Sequence, residues 1–355
     1  NLENIGGVKS YVDSLVEAYR SLGHQVRKIS PGSLPFLKKV KNKAMSSPRE
    51  EKIGQYKLAA RLVRFLSSLD FFFQQPDIVF FQDVISFNEI YPLLDKKKTR
   101  SVLVVHTYLA DEAVANRFTF EGSKTHQYLI SQEISAYKTA PLIFTVDKRI
   151  KAYIMGKIGI KDEAKIFDWI NFVDVNKFRP VSKRKKKLVR QKLGLPLRQK
   201  IILCPRKLNM KNGVTYAVQA MAFLPSQFLL VVCGDGPERK AIEGVIKKQK
   251  LSFKVRLLGD VDPSLMPNYF EACDYVVIPS IHIHGMEEAT SIAGLEAQAS
   301  GRPVIASRVG GLKQIIEDKK TGILVEEKSP REIAEAVLLL EKNPLLREQI
   351  ARQAR

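Results

Sequence analysis

The amino-acid sequence predicts an α/β protein made of two doubly wound domains. Short apolar runs rich in β-branched residues alternate with segments of helical periodicity, which is the pattern of parallel strands covered by helices. The chain has 355 residues, too many for one ordinary core, and two domains of roughly 150–180 residues would account for it. Hydrophobic residues make up 45% of the chain and charged residues 27%, as in globular proteins generally. We place the domains at 1–180 and 181–355.

The hydropathy pattern and the cysteines indicate a cytoplasmic protein. No apolar run reaches the roughly 18 residues that a membrane span needs, and the N-terminus lacks a signal-peptide pattern. Cys204, Cys233 and Cys273 are odd in number, far apart and without metal-ligand spacing. We therefore expect buried, reduced thiols.

The formal net charge of +21 requires a partner or a habitat that explains it. Residues 1–180 contain 28 basic and 19 acidic residues, and residues 181–355 contain 30 and 18, so no single tail carries the excess. Attraction to an anionic membrane, to nucleic acid or to acidic glycans would each account for it, and so would the Lys-rich surface of a thermophile. We expect no specific nucleic acid, and peripheral association with the inner face of an anionic membrane stays open. The excess is densest at Lys38, Lys39, Lys41 and Lys43, at 96–98 and at 183–187.

The first domain begins with Gly6 and Gly7 ahead of an amphipathic helix at 8–22, which Gly23 ends. Residues 24–29 follow as a predicted strand. An open α/β sheet requires a strand before the first helix, so we expect that strand to be missing from the sequence. Gly6 and Gly7 would then form the turn after it, where a backbone without Cβ can approach a phosphate.

The rest of the first domain continues the alternation. Polar and basic residues at 30–55 predict a surface loop, and a basic amphipathic helix predicted at 56–69 faces either the core or a membrane surface. His106 directly follows a predicted strand, at the sheet edge where active sites form. It would exchange a proton or bond a substrate hydroxyl there, unless it only caps the strand, and position alone leaves both open. The strands are predicted at 77–81, 101–105 and 141–146.

The second domain repeats the pattern after a crossover at 166–178 and a lysine-rich helix that ends near Leu193. Gly234-Asp235-Gly236 after a strand is a weak dinucleotide fingerprint, because the third glycine is absent. Strands are predicted at 201–205, 228–233, 254–259, 275–280, 302–307 and 322–325. Helices are predicted from Val214 onward and at 292–300, 330–341 and 344–355.

Two carboxylates, Glu288 and Glu296, lie between two of these strands. Glu288 falls in the loop before a helix, and Glu296 about one turn inside it. The amides of Ser291, Ile292 and Ala293 would be unpaired at the helix N-terminus and would attract an anion such as a diphosphate. The carboxylates would accept hydrogen bonds from sugar hydroxyls, one from a hexose and one from a ribose. Taken alone, the stretch slightly favours two solvated surface acids.

We expect no metal and no cofactor. The sequence has no Ser-His-Asp arrangement and no P-loop. His282 and His284 alternate in a loop but lack further ligands, and lining the loop is the better interpretation.

Several further motifs occur along the second half of the chain. They are the segment NFVDVNKFRP at 171–180, Arg206 with Lys211, GDGP at 234–237, Glu288 with Glu296, and ASGRPV at 299–304 followed by Gly310 and Gly311. In this order and spacing they resemble the motifs of the retaining family 4 glycosyltransferases of GT-B architecture. Each motif alone is loose, but the set is specific, and the resemblance runs from Gly6 to the last residue.

The resemblance implies two Rossmann-like domains that face a central cleft and bind a nucleoside-diphosphate sugar. It also implies transfer with retention of anomeric configuration and without a metal. Arg206 and Lys211 would neutralise the diphosphate leaving group. Glu288 would bind the hexose hydroxyls, Glu296 would bind the ribose, and His106 would face the donor sugar.

The other donor contacts implied by the resemblance are mostly made by backbone. The base would stack near Leu258 and Gly259. The chain departs from the family at 289–291, where Ala-Thr-Ser replaces Gly-Phe-Gly, and the hydroxyl of Ser291 bears on hexose identity. The family's final helix, which crosses back to the first domain, is expected to be missing from the sequence. The donor-binding residues assigned on this basis are Gly6, Gly7, Gly234, Leu258, Gly259, Ser291, Ile292, Ala293 and Glu296.

The expected function is transfer of a hexose-type sugar from a nucleotide donor to a glycan, a lipid-linked or a small-molecule acceptor. Acceptor identity is expected to depend on the first-domain loops at 30–55 and 107–125. The alternative from another class is a basic GT-B-like binding protein that has lost catalysis and works at a membrane or on nucleic acid. A dehydrogenase is disfavoured by the missing third glycine.

Overall fold

The computed structural model describes residues 6–29, 75–115, 118–283 and 287–355, together with Arg61 and Arg64. The chain forms two compact units that divide between Ile170 and Asn171, whereas the sequence predicts a boundary after residue 180. Each unit is built on a parallel sheet with helices, so the predicted α/β fold class is confirmed.

The first unit has parallel strands that lie side by side in chain order. Parallel neighbours need crossover connections, and each described strand is joined to the next through at least one helix. The strands are β1 (Ile78–Phe81), β2 (Arg100–Val105), β3 (Ile143–Thr145) and β4 (Ile166–Asp168). The described helices are α1 (Gly6–Ser21), α2 (Val84–Ile90), α3 (Leu109–Ala115), α4 (Lys124–Thr139) and α5 (Lys148–Gly156), with 3-10 turns at Tyr91–Leu93 and Glu163–Lys165.

The second unit has a larger parallel sheet. Its strands are β5 (Lys200–Cys204), β6 (Phe228–Val232), β7 (Val255–Leu257), β8 (Tyr275–Ile278), β9 (Val304–Ser307) and β10 (Ile323–Val325). Its helices are α6 (Lys183–Lys192), α7 (Val214–Ala220), α8 (Arg239–Lys248), α9 (Met266–Ala272), α10 (Ile292–Ala299), α11 (Leu312–Ile315), α12 (Pro330–Lys342) and α13 (Pro344–Ala354), with a 3-10 turn at Met210–Asn212. The strand order is β10-β9-β8-β5-β6-β7, so the chain reverses its direction of progress across the sheet between β5 and β8.

Both faces of the second sheet are covered by packed side chains. Along β5, Ile202 and Cys204 belong to one buried cluster, and Ile201 and Leu203 belong to another. Successive side chains of a strand point to opposite faces, so the two clusters lie on the two sides of the sheet. Burial on both sides explains why a run such as Ile201 to Cys204 is apolar at successive positions.

Two expectations for the start of the chain need correction. Helix α1 begins at Gly6, so Gly6 and Gly7 lie in its first turn and not in a loop before it. Residues 24–29, predicted as a strand, pair with no described strand. They are exposed apart from the partly buried Val26, and a strand without a buried face has little to stabilise it.

Some sequence-based expectations lie outside the described residues. These are the loop at 30–55 with its lysines, the helix at 56–69 apart from Arg61 and Arg64, and His284. None of the helices in the described part of the chain is both long and apolar enough to span a bilayer.

The lysine-rich run at 183–187 lies on α6, as predicted. Lys185 pairs with Glu271 at 2.6 Å, and Lys186 pairs with Asp274. Part of the basic charge of this run is therefore neutralised inside the second unit.

The three cysteines are buried free thiols, which confirms that prediction. Burial raises the pKa of Cys204 and of Cys233 to about 12 and that of Cys273 to about 11. Thiols of this kind stay protonated and unreactive at neutral pH.

Candidate functional site

The second unit brings the predicted phosphate and hexose residues to one edge of its sheet. Arg206 follows β5, and Ser280 and Glu288 follow β8. These two strands are neighbours, and the strand order reverses between them. In open α/β sheets ligands bind outside the carboxyl ends of the strands at such a switch point.

Arg206 and Glu288 form a buried, two-pronged ion pair at this edge. The Nη1 group of Arg206 donates to Oε1 of Glu288 at 3.0 Å, and Nη2 donates to Oε2 at 2.6 Å. Both residues are 9% exposed. Burial opposes ionisation of Glu288, but the charges of Arg206 and then Lys211 outweigh it, so the pKa of the carboxyl lies below its usual range. The structure thus places Arg206, Lys211 and Glu288 together.

Arg206 is held from further sides by neutral acceptors. Its Nη2 group also donates to Ser280 Oγ at 2.9 Å and to Asn212 Oδ1. The Nε atom is buried, and no described residue accepts a hydrogen bond from it. A buried, unpaired N–H is unfavourable, and a bound anion would satisfy it.

Asn212 is a site residue that sequence reasoning missed. The sequence shows it only as one extra residue between Lys211 and Gly213. In the structure its side chain is oriented by donating from Nδ2 to the carbonyl of Lys207 at 2.8 Å, which turns Oδ1 toward Arg206. A polar residue next to a predicted phosphate-binding lysine was the available signal.

Helix α10 begins at the predicted place, with Ser291 as its N-cap. The Oγ atom of Ser291 accepts from the Gly294 amide at 3.3 Å and lies 3.5 Å from Arg206 Nη1. The amides of Ile292 and Ala293 lie in the first turn, where no carbonyl of the helix can reach them. The partial positive charge of a helix N-terminus therefore lies beside the guanidinium of Arg206.

The loop that carries Glu288 is fixed by two backbone-directed hydrogen bonds. The amide of Gly311 donates to the Glu288 carbonyl at 2.7 Å. The side chain of Asn171 donates from Nδ2 to the Thr290 carbonyl at 2.7 Å. Gly311 and Asn171 belong to motifs that the sequence singled out, and both hold this loop.

Glu296 lies on α10 and is partly buried. Burial raises the pKa of its carboxyl to about 8, and the charge of Lys177 opposes the rise. No described side chain or amide is hydrogen-bonded to this carboxyl. A ligand that offers hydroxyl donors, such as a ribose, would supply the missing partners.

The loops after β5, β6 and β7 approach each other through glycine. A Cβ on Gly234 would lie 2.3 Å from the carbonyl oxygen of Arg206, and Gly234 has a φ of 147°. Its amide donates to the Gly259 carbonyl at 2.7 Å. Leu258, beside Gly259, is 39% exposed. Gly234, Leu258 and Gly259 therefore lie close to the backbone of Arg206.

In the first unit, His106 follows β2 as predicted. Its Nε2 atom lies 2.9 Å from Oε1 of Gln82, the residue after β1. Its ring packs edge to face against Tyr11 of α1, with centroids 4.9 Å apart. Burial lowers the pKa of the imidazole to about 4, so it is neutral at physiological pH.

A buried carboxylate that the sequence did not reveal holds the segment beyond His106. Glu133 of α4 is fully buried, and its Oε1 accepts from the amide of Leu109 at 2.8 Å. Tyr137 and Tyr153 donate to it at 3.3 Å and 3.1 Å. Burial raises the pKa of Glu133 to about 7. A lone Glu on a helix carries no local signal of such a role.

His282 is exposed, and its amide donates to Glu327. Within the described ranges no group of three or more His, Cys, Asp or Glu side chains is arranged to hold a metal ion.

Comparison with known proteins gives two family matches. Residues 5–177 match the model described as Glycosyltransferase Family 4, and residues 185–355 match Glycosyl transferases group 1. A D-inositol 3-phosphate glycosyltransferase of Corynebacterium urealyticum is 27% identical over 94% of this chain and 81% of its own length. An uncharacterized glycosyltransferase of Methanocaldococcus jannaschii is 32% identical over 57% of this chain, which covers half of that protein.

Two solved structures resemble the fold over most of this chain. A glycosyltransferase from Rickettsia africae has a TM-score of 0.67 at 20% identity and covers 99% of this chain and 89% of its own. Anabaena HepE in complex with UDP-glucose has a TM-score of 0.66 at 19% identity, covering 84% of this chain and 77% of its own. At these identities the likeness concerns the fold.

Proposed function

Since the chain belongs to the GT-B glycosyltransferases, with a family 4 first half and a group 1 second half, we propose that it transfers a hexose-type sugar from a nucleoside-diphosphate donor. The observation that carries this proposal is the buried Arg206, which lies beside the N-terminus of α10 and whose Nε has no hydrogen-bond partner among the described residues. A diphosphate supplies the anion that both groups favour. HepE was solved with UDP and with UDP-glucose, which makes a UDP-sugar the first donor to test.

The proposed reaction is a front-face displacement. The bond between the anomeric carbon and the diphosphate oxygen breaks, and the acceptor oxygen bonds to the same face of that carbon, so the configuration is retained. The acceptor proton passes to the departing phosphate oxygen. Arg206, Lys211 and the amides of Ile292 and Ala293 stabilise the charge that develops on the leaving group.

Arg206 is already paired within the protein, which limits the N–H groups that it can offer to a ligand. Its Nη groups donate to Glu288, Ser280 and Asn212, and Nε is the N–H that remains for a phosphate. Glu288 therefore has two proposed tasks, to hold the guanidinium in place and to meet the hexose hydroxyls. We assign the ribose to Glu296, whose carboxyl has no partner in the described structure.

The donor is identified by a thermal-shift panel in EDTA with UDP, GDP, ADP and CDP and their common sugars. A ligand at a hundred times its dissociation constant stabilises by about 2.7 kcal/mol, which such a panel detects. We expect one nucleotide to dominate and the shift to persist without metal. Absence of any shift in a folded chain would count against the proposal and favour the binding-protein alternative.

Transfer is then measured with the responding sugar nucleotide and candidate glycan, lipid-linked and small-molecule acceptors. The anomeric configuration of the product, determined by NMR, tests retention. Activity in EDTA compared with added Mg²⁺ or Mn²⁺ tests metal independence. An inverted product, or activity only with added metal, would contradict these parts of the proposal.

A further inference from the structure

The ring of His106 is fixed by two neighbours from different elements. Gln82, directly after β1, meets Nε2 at 2.9 Å. The ring of Tyr11 packs edge to face against the imidazole, with the ring centroids 4.9 Å apart and an interplanar angle of 77°. Tyr11 is itself buried, with 2% of its surface exposed. Together they hold both the plane of the imidazole and the direction of its Nε2 atom.

The hydrogen bond to Gln82 also selects a tautomer. The atom of Gln82 that faces the ring is the amide oxygen, which only accepts. Nε2 must therefore carry the proton. In a neutral imidazole the other nitrogen is then an acceptor, and no described residue donates a hydrogen bond to Nδ1.

We propose that Gln82 is a positioning residue that holds His106 as the Nε2–H tautomer, so that Nδ1 accepts a hydrogen bond from a hydroxyl of the bound sugar. This inference rests on the proposed function, because it assumes a hydroxyl-bearing ligand. The proposed contact requires the sugar to be the hydrogen-bond donor. A sugar with a methoxy or deoxy substituent at that position cannot donate and would lose the contact.

The groups around the ring leave it neutral. Tyr11 from α1 has a hydroxyl whose pKa burial raises to about 12, so it carries no charge near neutral pH. Asp83, next to Gln82, directs both carboxylate oxygens at Ser86, its Oδ1 accepting from the amide at 2.8 Å and its Oδ2 from the hydroxyl at 2.6 Å. Glu133 accepts from the amide of Leu109, beyond the ring in the chain. A carboxylate at position 82 would thus place a negative charge within hydrogen-bonding distance of Nε2.

The test is NMR of the full chain with labelled histidine, in the absence of ligand. The chain has 5 histidines, and His106→Asn assigns the resonance. In the wild type we expect nitrogen shifts of the Nε2–H tautomer and a titration midpoint near 4. In Gln82→Glu the midpoint should rise by roughly one to three pH units, because an opposite charge at this distance favours the protonated ring. Leucine has a similar volume but cannot accept a hydrogen bond, so Gln82→Leu should allow both neutral tautomers of His106 to be populated.

Two results would overturn the proposal. One is the Nδ1–H tautomer in the wild-type protein, which would mean that the amide of Gln82 is reversed. The other is an unchanged His106 midpoint in a folded Gln82→Glu variant. Neither readout needs turnover, so the outcome is separate from that of the proposed function.

The functional arm uses UDP-glucose as the probe. We expect Gln82→Leu to lower kcat/KM for donor turnover about tenfold, the effect of one lost orienting hydrogen bond. Gln82→Glu should make activity fall with decreasing pH around its new His106 midpoint. Equal activity of the wild type and Gln82→Leu, with the tautomer confirmed, would overturn the role in substrate binding. If the wild type itself turns over no donor, the proposed function fails while the tautomer assignment stands.

Discussion

Replacing Glu288 by Gln should destabilise the second unit, because it breaks a buried ion pair and leaves the charge of Arg206. Removing one partner of a buried pair typically costs about 3–5 kcal/mol. Gln keeps one acceptor oxygen for one of the two Nη groups, so we expect the low end, about 3 kcal/mol. For a unit of this size that corresponds to a fall in Tm of roughly 6–12 °C, measured by calorimetry.

The same variant should respond more strongly to UDP than the wild type. A diphosphate can take the position of the missing carboxylate beside Arg206, so its binding offsets part of the lost stability. In the wild type, the pKa of Glu288 is lowered, so the pair contributes fully above the unfolded-state pKa and is lost only as the pH falls through the lower folded value.

The matched control is Glu348→Gln, which removes the same charge from an exposed position on α13. Its Tm should stay close to that of the wild type, as for most surface substitutions. The reasoning is refuted if Glu288→Gln melts within about 2 °C of the control. It is also refuted if UDP stabilises the variant no more than the wild type.

Three further predictions concern separate parts of the molecule. Lys211→Ala should lower kcat on the order of 10²–10³-fold, because the positive charge that stabilises the leaving group is lost. Lys240 is exposed, and Lys240→Ala should leave kcat unchanged. Gly236→Ala should cost about 1–3 kcal/mol in urea unfolding, since its Cβ would lie 2.4 Å from the Leu208 carbonyl oxygen, and a neutral result would mean that the loops can separate. Glu133 has a folded pKa of about 7 against 4.5 unfolded, so stability should fall on the order of 3 kcal/mol as the pH rises between these values; Glu133→Gln should abolish that slope, and an unchanged pH profile would contradict the assignment.

The strands of the second unit could be predicted from the sequence because both sheet faces are buried. A run such as Ile201 to Cys204 is apolar at each position, so it can be recognised as a strand without knowing which strands it pairs with. The segment 24–29 shows the opposite case. Its residues have strand propensity, but a strand exists only through neighbours, and these residues pair with no described strand.

The candidate site divides in the same way. Arg206, Lys211 and Glu288 were found because their spacing forms a motif, and the structure gathers them at the switch point. Gln82, Asn212 and Glu133 were missed, because each acts through a partner on another element or through a turn of the backbone. Gln82 and His106 are 24 positions apart, and nothing local to either residue indicates the other.

The buried thiols give the two units separate natural reporters. All three cysteines lie in the second unit, whereas the single tryptophan, Trp169, lies in the first, where it stacks on Phe144. A thiol-labelling reagent can therefore modify the protein only when the second unit opens, and the rate of labelling counts those openings. Tryptophan fluorescence follows the first unit in the same sample, so the order in which the units open can be read without engineering a probe.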